Sequence, residues 1–195
     1  MGMMMPADIA DLVAQLDAAE RDLCRLLDGL TPALGGWRPA SGAWSAAECL
    51  EHLAITNRVY LGAMQEPAVR ARTRGNMRRG PVKPGVVGGW FARSLEPPVK
   101  PGRRTRAPRM VVPATSTQFD EAAAAFSAAH AQVRAYLLAN ADLDLNRMRF
   151  PNPFVRGIRF SVATGLQVIA AHERRHLWQA WRTRRAAESD SATSQ

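Results

Sequence analysis

The sequence is poor in aromatic residues, which make up only 7% of its 195 residues, whereas hydrophobic residues as a whole reach 47%. No stretch combines dense β-branched residues with strict alternation and flanking turns, which is the pattern of a strand. Together with the abundance of alanine, this lack indicates a helical composition. The length suits one hydrophobic core rather than two. We therefore expect an all-α protein with a single domain over residues 1–186 and a polar, disordered tail at 187–195.

Cysteines and long apolar runs are also scarce. The two cysteines, Cys24 and Cys49, lie in helix-patterned segments, and no basic start followed by an apolar run precedes them. No window approaches the roughly 20 consecutive apolar residues that a membrane span needs. We therefore expect a cytoplasmic, reduced protein with no membrane partner, in which both thiols are small core side chains.

Acidic residues are almost missing from the middle of the chain. Residues 67–112 contain 12 lysines and arginines but a single acid, Glu96, so this segment alone carries +11 against +9 for the whole chain. Prolines and glycines scattered over 67–113 predict a long connection, with a short helix at Trp90–Leu95 as its regular part. Such a link is a solvated loop or a surface for a polyanion. We favour the solvated loop, because the link lacks the ordered aromatic residues that stack bases. Nucleic acid is the alternative partner.

Four segments have helical periodicity, at about 6–28, 45–65, 117–140 and 161–185. Ser45 followed by Glu48 is a capping box, and Thr117 is suited to cap the third helix. The glycines and prolines of 29–39 predict a loop in which helix cannot continue. The pattern therefore indicates four helices, with the basic link 67–113 crossing over between the second and the third.

Three of the four histidines share a pattern that favours a metal site. His172 and His176 are four residues apart, so their side chains project from adjacent turns of one side of a helix. Counting 100° per residue places His52 on the inward face of the second helix. An unpaired buried polar group costs about 1–3 kcal/mol, which a bound metal would remove. Three neutral imidazoles leave a fourth position open, as in catalytic sites.

Two alternatives concern the histidines themselves. In the first alternative, all three histidines are hydrogen-bonded core or surface residues and bind no metal. His130, near the apolar stripe of the third helix, would serve as a fourth ligand or, as we prefer, as an ordinary buried or boundary histidine outside the site.

Residues 172–176 also match the HExxH pattern of zinc metalloproteases, in which the glutamate is the general base. The match is literal, but Arg182 stands where a third ligand would follow. The acids downstream are confined to Glu188 and Asp190 in the tail, and no accompanying sheet is evident. A third ligand on a different helix fits the sequence better.

Two stretches together resemble a known family. Residues 44–53 read WSAAECLEHL, and this stretch resembles the second-helix signature of DinB-like proteins, W-S-x-x-E-x-x-x-H-L. Residues 172–179 read HERRHLWQ and resemble that family's last-helix signature, H-x-x-R-H-x-x-Q. The resemblance to the DinB/YfiT-like family implies an up-down four-helix bundle with a long link between its second and third helices. It maps the metal ligands onto His52, His172 and His176.

The resemblance also implies a class of chemistry, since relatives are known or proposed as metal-dependent hydrolases and as transferases that use a low-molecular-weight thiol. A divalent zinc or nickel ion held by three histidines lowers the pKa of bound water to about 7 or binds a thiol as its thiolate. The expected partner is a small-molecule substrate such as a thiol, and a homodimer is the expected assembly. The alternative is a non-enzymatic, metal-stabilised binding module whose basic link engages nucleic acid or another polyanion.

Residues next to the ligands are candidates for supporting roles. Glu173 lies about 100° around the helix from His172, where it reaches the rim as a catalytic base or is simply a solvated charge. Glu48 and Gln179, close in sequence to the ligands, are candidates to orient them from the second shell of the metal. Arg174 and Arg175 are expected to point outward into solvent.

Overall fold

The computed structural model describes residues 5–98, 107–114 and 116–193. Within these ranges the chain is mostly helical, in agreement with the expected all-α class, and two short strands form a hairpin that the sequence pattern did not predict. The helices are α1 (Ala7–Leu27), α2 (Pro32–Gly36), α3 (Ala46–Thr73), α4 (Val86–Leu95), α5 (Phe119–Ala139) and α6 (Val162–Thr193). The strands are β1 (Arg149–Pro151) and β2 (Arg159–Ser161), and a single 3-10 turn covers Arg109–Val111.

The four long helices contact one another in a ring, because α3 and α1 each pack against both α5 and α6. Arg58 of α3 bonds the Ala125 carbonyl of α5, and the Tyr136 hydroxyl of α5 bonds the Met64 carbonyl of α3. Positions along the two helices therefore advance together, so α3 and α5 run parallel. A parallel pair requires the chain between them to return along their length.

The core lies inside this ring and forms two adjoining clusters. One joins the first half of α1 to the ends of α3 and α5, the hairpin and the start of α6. The other joins the second half of α1 to the starts of α3 and α5 and the middle of α6. The largest fully buried side chains are Tyr60, Phe126, Phe150, Ile9, Leu16, Leu26, Leu50, Leu53, Met64, Leu137, Leu143 and Leu145.

Helix α3 begins as predicted and ends later. The Ser45 side chain accepts from the Glu48 backbone N–H at 3.1 Å and the Glu48 carboxylate accepts from the Ser45 N–H at 2.8 Å, which confirms the capping box. The predicted end at Gln65 is wrong, since the helix runs through Pro67 to Thr73. Pro67 and the alanines that follow it are buried, and this burial offsets the hydrogen bond that a proline cannot make.

Three other boundaries differ from expectation. Residues 32–36 form a short helix where a loop was predicted, because the Thr31 hydroxyl caps it. Thr117 does not cap α5, which starts at Phe119, because the Thr117 hydroxyl bonds the Glu51 carboxylate and the Ala114 carbonyl. Helix α6 extends past the predicted end at Arg185, so residues 187–193, expected to be disordered, are helical there.

Part of the basic link is held firmly against the helices. The predicted helix at Trp90–Leu95 is confirmed within α4, which packs on α6 and places the Phe91 ring 5.8 Å from the Phe160 ring. Upstream, one Arg78 nitrogen lies 2.6 Å from both carboxylate oxygens of Asp8 on α1. These contacts anchor the link at α4 and upstream of it.

One of the two thiols lies outside the core. Cys49 is buried as predicted, but Cys24 is exposed, so the expectation that both lie in the core is wrong for Cys24. In the described part of the chain, every helix is too short or too polar to cross a membrane.

Gly165 marks a close approach between α6, α3 and the hairpin. A Cβ atom placed on Gly165 would lie 2.8 Å from the Phe150 ring and 3.0 Å from the Met64 sulfur, both fully buried. We expect Gly165→Ala to lower the free energy of unfolding by about 1–3 kcal/mol, because the core cannot make room without strain. Urea denaturation followed by circular dichroism measures the change.

The matched control is Gly62→Ala on the exposed side of α3, where the added methyl group meets nothing within 4 Å. This change should stabilise the protein by about 0.5–1 kcal/mol through helix propensity alone. Equal effects of the two substitutions would contradict the packing described for Gly165.

Candidate metal centre

Three imidazoles from two antiparallel helices meet inside the protein. His52 comes from α3, and His172 and His176 come from successive turns of α6. The ring centroids are 5.0 Å apart for His52 and His172, 4.6 Å for His52 and His176, and 4.5 Å for the α6 pair. One ring nitrogen from each lies within 4.8 Å of the other two. We call these three residues the histidine triad.

The hydrogen bonding of His52 fixes its tautomer. Its Nδ1 lies 2.6 Å from the Val111 carbonyl oxygen, which can only accept, so Nδ1 carries the proton and donates. The Nε2 atom of His52 then presents a lone pair, 3.3 Å from Nε2 of His172. Two nitrogens bound to one tetrahedral zinc at 2.0–2.1 Å lie about 3.3–3.4 Å apart, so this separation suits a shared metal ion.

Burial keeps the triad neutral. It is the main cause that lowers the pKa of His52 below its ordinary value, against the opposing hydrogen bond to Val111. It also holds the pKa values of His172 and His176 well below the ordinary value, assisted by the neighbouring imidazoles and by the charge of Arg175. Metal binding requires neutral imidazole, so the triad is prepared for a cation.

The three histidines differ in their exposure. His52 and His176 are buried, whereas His172 is partly exposed. The Trp44 ring covers one side of the triad, at 4.8 Å from the His52 ring and 5.8 Å from that of His176. In the described part of the chain, Nδ1 of His172 and Nδ1 of His176 are buried without a hydrogen-bond partner. An unpaired buried ring nitrogen is costly. Because Nε2 of His172 faces His52, a cation between those two nitrogens would not reach Nδ1 of His172, and an ordered water is the partner that would relieve its cost.

The Val111 carbonyl reaches His52 because the end of the link is tied to α3. We call residues 107–114 the strap. The Glu51 carboxylate, one residue before the ligand, accepts from the Ala114 backbone N–H at 2.9 Å and from the Thr117 hydroxyl. Val111 itself is buried, at 1% exposure. The strap therefore supplies the outer partner of His52 and fixes the orientation of its ring.

The predicted roles of Glu173 are both wrong. Its side chain is neither at the rim nor solvated but fully buried, where its carboxylate accepts from the Asn57 amide at 2.7 Å. Its two oxygens also lie 3.1 and 3.0 Å from Nδ1 of His130. The carboxylate is thus occupied by a network that joins α3, α5 and α6. His130 is a buried histidine outside the triad, as preferred from the sequence.

The two second-shell candidates differ, because Glu48 is engaged away from the triad whereas Gln179 has a side-chain hydrogen bond to His176. Glu48 is committed to its capping box and to Arg38, whose Nε lies 2.8 Å from its carboxylate. The hydrogen bond from Gln179 raises the pKa of His176, against the larger lowering by burial, while Nδ1 of the same ring has no hydrogen-bond partner among the described residues. The Val111 carbonyl is a further orienting group, which the sequence did not predict.

Neither arginine between the α6 ligands is simply solvated. Arg174 pairs with Glu96 of the link and with Gln15 of α1. Arg175 is half-buried beside the triad, so that burial lowers its pKa, while its charge lowers the pKa values of His172 and His176. It therefore adds a positive charge beside the triad.

Comparison with known proteins agrees with this geometry. The sequence model of the DinB superfamily matches residues 15–180, which include α3, α5, the triad and most of α6. The chain belongs to the DinB superfamily. No curated protein and no solved structure matched the chain.

In this DinB-superfamily chain, burial of Glu173 could have been predicted from the apolar residues that share its helix face. The residues three, four and seven positions away on either side are those that share its helix face. Those positions include Leu166, Ala170, Leu177 and Ala180, all of them buried. An acid in the middle of an apolar stripe predicts a buried, partnered carboxylate rather than a base at the rim.

Glu51→Ala tests the role of the strap. Loss of the carboxylate frees the chain at Ala114 and Thr117, so the Val111 carbonyl no longer holds the His52 ring. We expect metal affinity to fall by about tenfold or more, as is usual when an outer partner of a histidine ligand is lost. Competition with a chromogenic chelator measures the affinity.

Glu66→Ala is the control, because it removes the same charge from the same helix at an exposed pair with Arg70. Its metal affinity should match that of the unaltered protein. If both variants bind metal equally well, the strap has no part in holding the ligand.

His130→Ala tests the buried network through its pH dependence. Burial is the largest single effect and lowers the pKa of His130, but the hydrogen bond and charge of Glu173, with Glu20 and Asp17, together raise it above its ordinary value. A raised pKa adds stability below the unfolded value near 6.5, and that stability is lost as the pH rises through the folded value. We expect a loss of about 3–5 kcal/mol at pH 6 and a smaller loss at pH 8.5.

Denaturant unfolding of the unaltered protein and of His130→Ala at pH 6 and pH 8.5 gives the loss of stability at each pH. The pKa shifts of the triad are common to both proteins, so their contributions cancel. Arg25→Ala, which breaks an exposed pair with Asp22 within α1, should show no such trend. A destabilisation by His130→Ala that grows towards pH 8.5 would contradict the assigned charge state.

Proposed function

We propose that this protein is a metal-dependent enzyme with the DinB/YfiT-like four-helix-bundle fold. Helices α1, α3, α5 and α6 form the bundle, and the link from α3 to α5 is its crossover connection. His52, His172 and His176 hold one divalent ion, zinc or nickel, and leave a coordination position open. The convergence of the three imidazoles, with two Nε2 atoms 3.3 Å apart, is the observation that carries the proposal.

The donor set supports a catalytic rather than a structural metal. Structural zinc sites are closed by four protein ligands, usually with cysteine among them. Here the metal-ligating groups that converge in the described residues are three histidines, and Cys49 is not among them. The partial exposure of His172 gives a small molecule a route to the remaining position.

The chemistry that such an ion supplies is polarisation of a bound water or thiol, which suits a hydrolase or a transferase that uses a low-molecular-weight thiol. The protein residues contribute binding and exclusion of water. The Trp44 ring forms an apolar wall beside two of the ligands. Arg175 attracts an anionic group of the substrate to the mouth of the site. Glu173 takes no part in proton transfer, because its oxygens are bound within the protein.

The alternative, a non-enzymatic module in which the link binds a polyanion, requires the link to be free. Arg78 is paired with Asp8, and the strap is fixed by Glu51 and His52. Those parts of the link serve the fold and the triad. The enzyme is therefore the function that these contacts favour.

His52→Ala tests the metal centre. The purified protein should contain about one divalent ion per chain, and the variant should lose most of it because two remaining imidazoles bind far more weakly. Elemental analysis by mass spectrometry measures the content. Because burial lowers the pKa values of the triad, the unaltered protein should keep its metal at pH 6, where ordinary histidines begin to protonate.

His130→Gln serves as a histidine control, since that ring is buried but lies outside the triad. It should retain full metal content as long as circular dichroism shows it folded. Metal retained by His52→Ala, or lost equally from both variants, would refute the assigned ligand set.

A further inference from the structure

A second candidate site lies at the other end of the bundle. Five arginines line a groove of about 290 Å³ where the end of α3 meets the hairpin and the turn before it. We call it the arginine groove, lined by Arg70, Arg74, Arg147, Arg149 and Arg159. Arg70 follows His52 by 18 residues on α3, so the groove is about 27 Å along the helix axis from the triad.

The hairpin dictates where two of these arginines point. Phe150 pairs with Phe160 across the strands, and both rings are buried in the core. Neighbouring residues along a strand face opposite sides, so Arg149 and Arg159 are turned outward together. They are diagonal neighbours across the hairpin, and Arg159 also donates to the Arg149 carbonyl at 3.4 Å. Packing of the phenylalanines therefore presents two guanidinium groups on one face.

Arg70 and Arg74 reach the groove from successive turns at the end of α3. Arginine is favourable at a helix C-terminus, where the free carbonyls carry partial negative charge. This effect alone does not account for the two arginines, because the carbonyls of Arg70, Ala71 and Arg72 already accept from backbone N–H groups. Arg72, on the same turn, does not line the groove, and its side chain donates to the Ala139 carbonyl of α5. The end of α3 is thus satisfied without the groove arginines.

Acids compensate only part of this charge. Arg70 pairs with Glu66, and Arg147 lies 3.7 Å from Asp144. The arginine side chain is exposed in both pairs. None of the described carboxylates pairs with Arg74, Arg149 or Arg159. Among the described residues that line the groove, none is acidic. Five cations facing one concave surface repel one another, and an anion bound among them would relieve that repulsion.

We propose that the arginine groove binds the phosphate group of a small molecule, as a phosphomonoester or a diphosphate. The planar guanidinium group matches phosphate with two parallel hydrogen bonds, which lysine cannot provide. The volume suits one or two phosphate groups rather than a length of polymer. The described lining contains no aromatic side chain on which a nucleic-acid base would stack. This site is separate from the proposed metal centre and does not depend on it.

Calorimetric titration with inorganic pyrophosphate at 0.15 M NaCl tests the proposal. The unaltered protein is compared with the double variant Arg149→Ser, Arg159→Ser, whose hydrogen bonds to the anion would be lost. The control is Arg79→Ser, Arg156→Ser, which removes equal charge from exposed arginines outside the groove. We expect the groove variant to bind at least about tenfold more weakly, as loss of charge-assisted hydrogen bonds implies, and the control to bind like the unaltered protein.

Two further titrations distinguish the groove from a metal-bound anion and from a nucleic-acid surface. His52→Ala should bind pyrophosphate as the unaltered protein does, because the groove is remote from the triad. Short single-stranded DNA should show no loss of affinity specific to the groove variant. The proposal is overturned by absence of pyrophosphate binding, by equal losses in both double variants, by loss in His52→Ala, or by a groove-specific loss for DNA without one for pyrophosphate. Circular dichroism confirms that each variant is folded.

Discussion

The hydrogen bond from His52 to the Val111 carbonyl is the contact on which the candidate metal centre depends. It selects one tautomer, turns the lone pair of Nε2 toward α6, and does so with a backbone group from a distant part of the chain. Glu51 stabilises that hydrogen bond, because its carboxylate accepts from the Ala114 backbone N–H at the end of the strap. A long connection that would otherwise be costly to order thereby becomes part of the site.

Helix α6 supports two adjacent polar clusters of opposite character. His172 faces α3 in a neutral cluster, where burial depresses the pKa, while the next residue, Glu173, faces His130 and raises the pKa of that imidazole. The 100° between successive helical residues keeps the two clusters on different sides of α6. The carboxylate favours the protonated form of His130 on one side, and burial favours the neutral form of the triad on the other.

The sequence predicted the parts that local periodicity determines. Helical spacing and the capping box placed His52 inward, and spacing of four residues placed His172 and His176 together; the structure brings all three into one cluster. What it could not supply were partners set by tertiary packing. The carbonyl of Val111 carries no side-chain signal, and the extension of α3 through Pro67 depends on burial that only the folded core provides. The hairpin strands, three residues each, were too short for alternation to be visible.

The basic link looked like one charged surface in the sequence, but those of its arginines that lie in the described ranges have separate structural roles. Arg78 is paired with Asp8, Arg72 bonds the end of α5, and Arg70 and Arg74 turn into a groove shared with hairpin residues from outside the link. A polyanion that bound by charge alone would need these cations to be equally available, and they are not. The net charge of a segment therefore does not specify its ligand. The positions of the individual guanidinium groups are more informative, and in the arginine groove they line one concave surface, where we propose that a phosphate group binds.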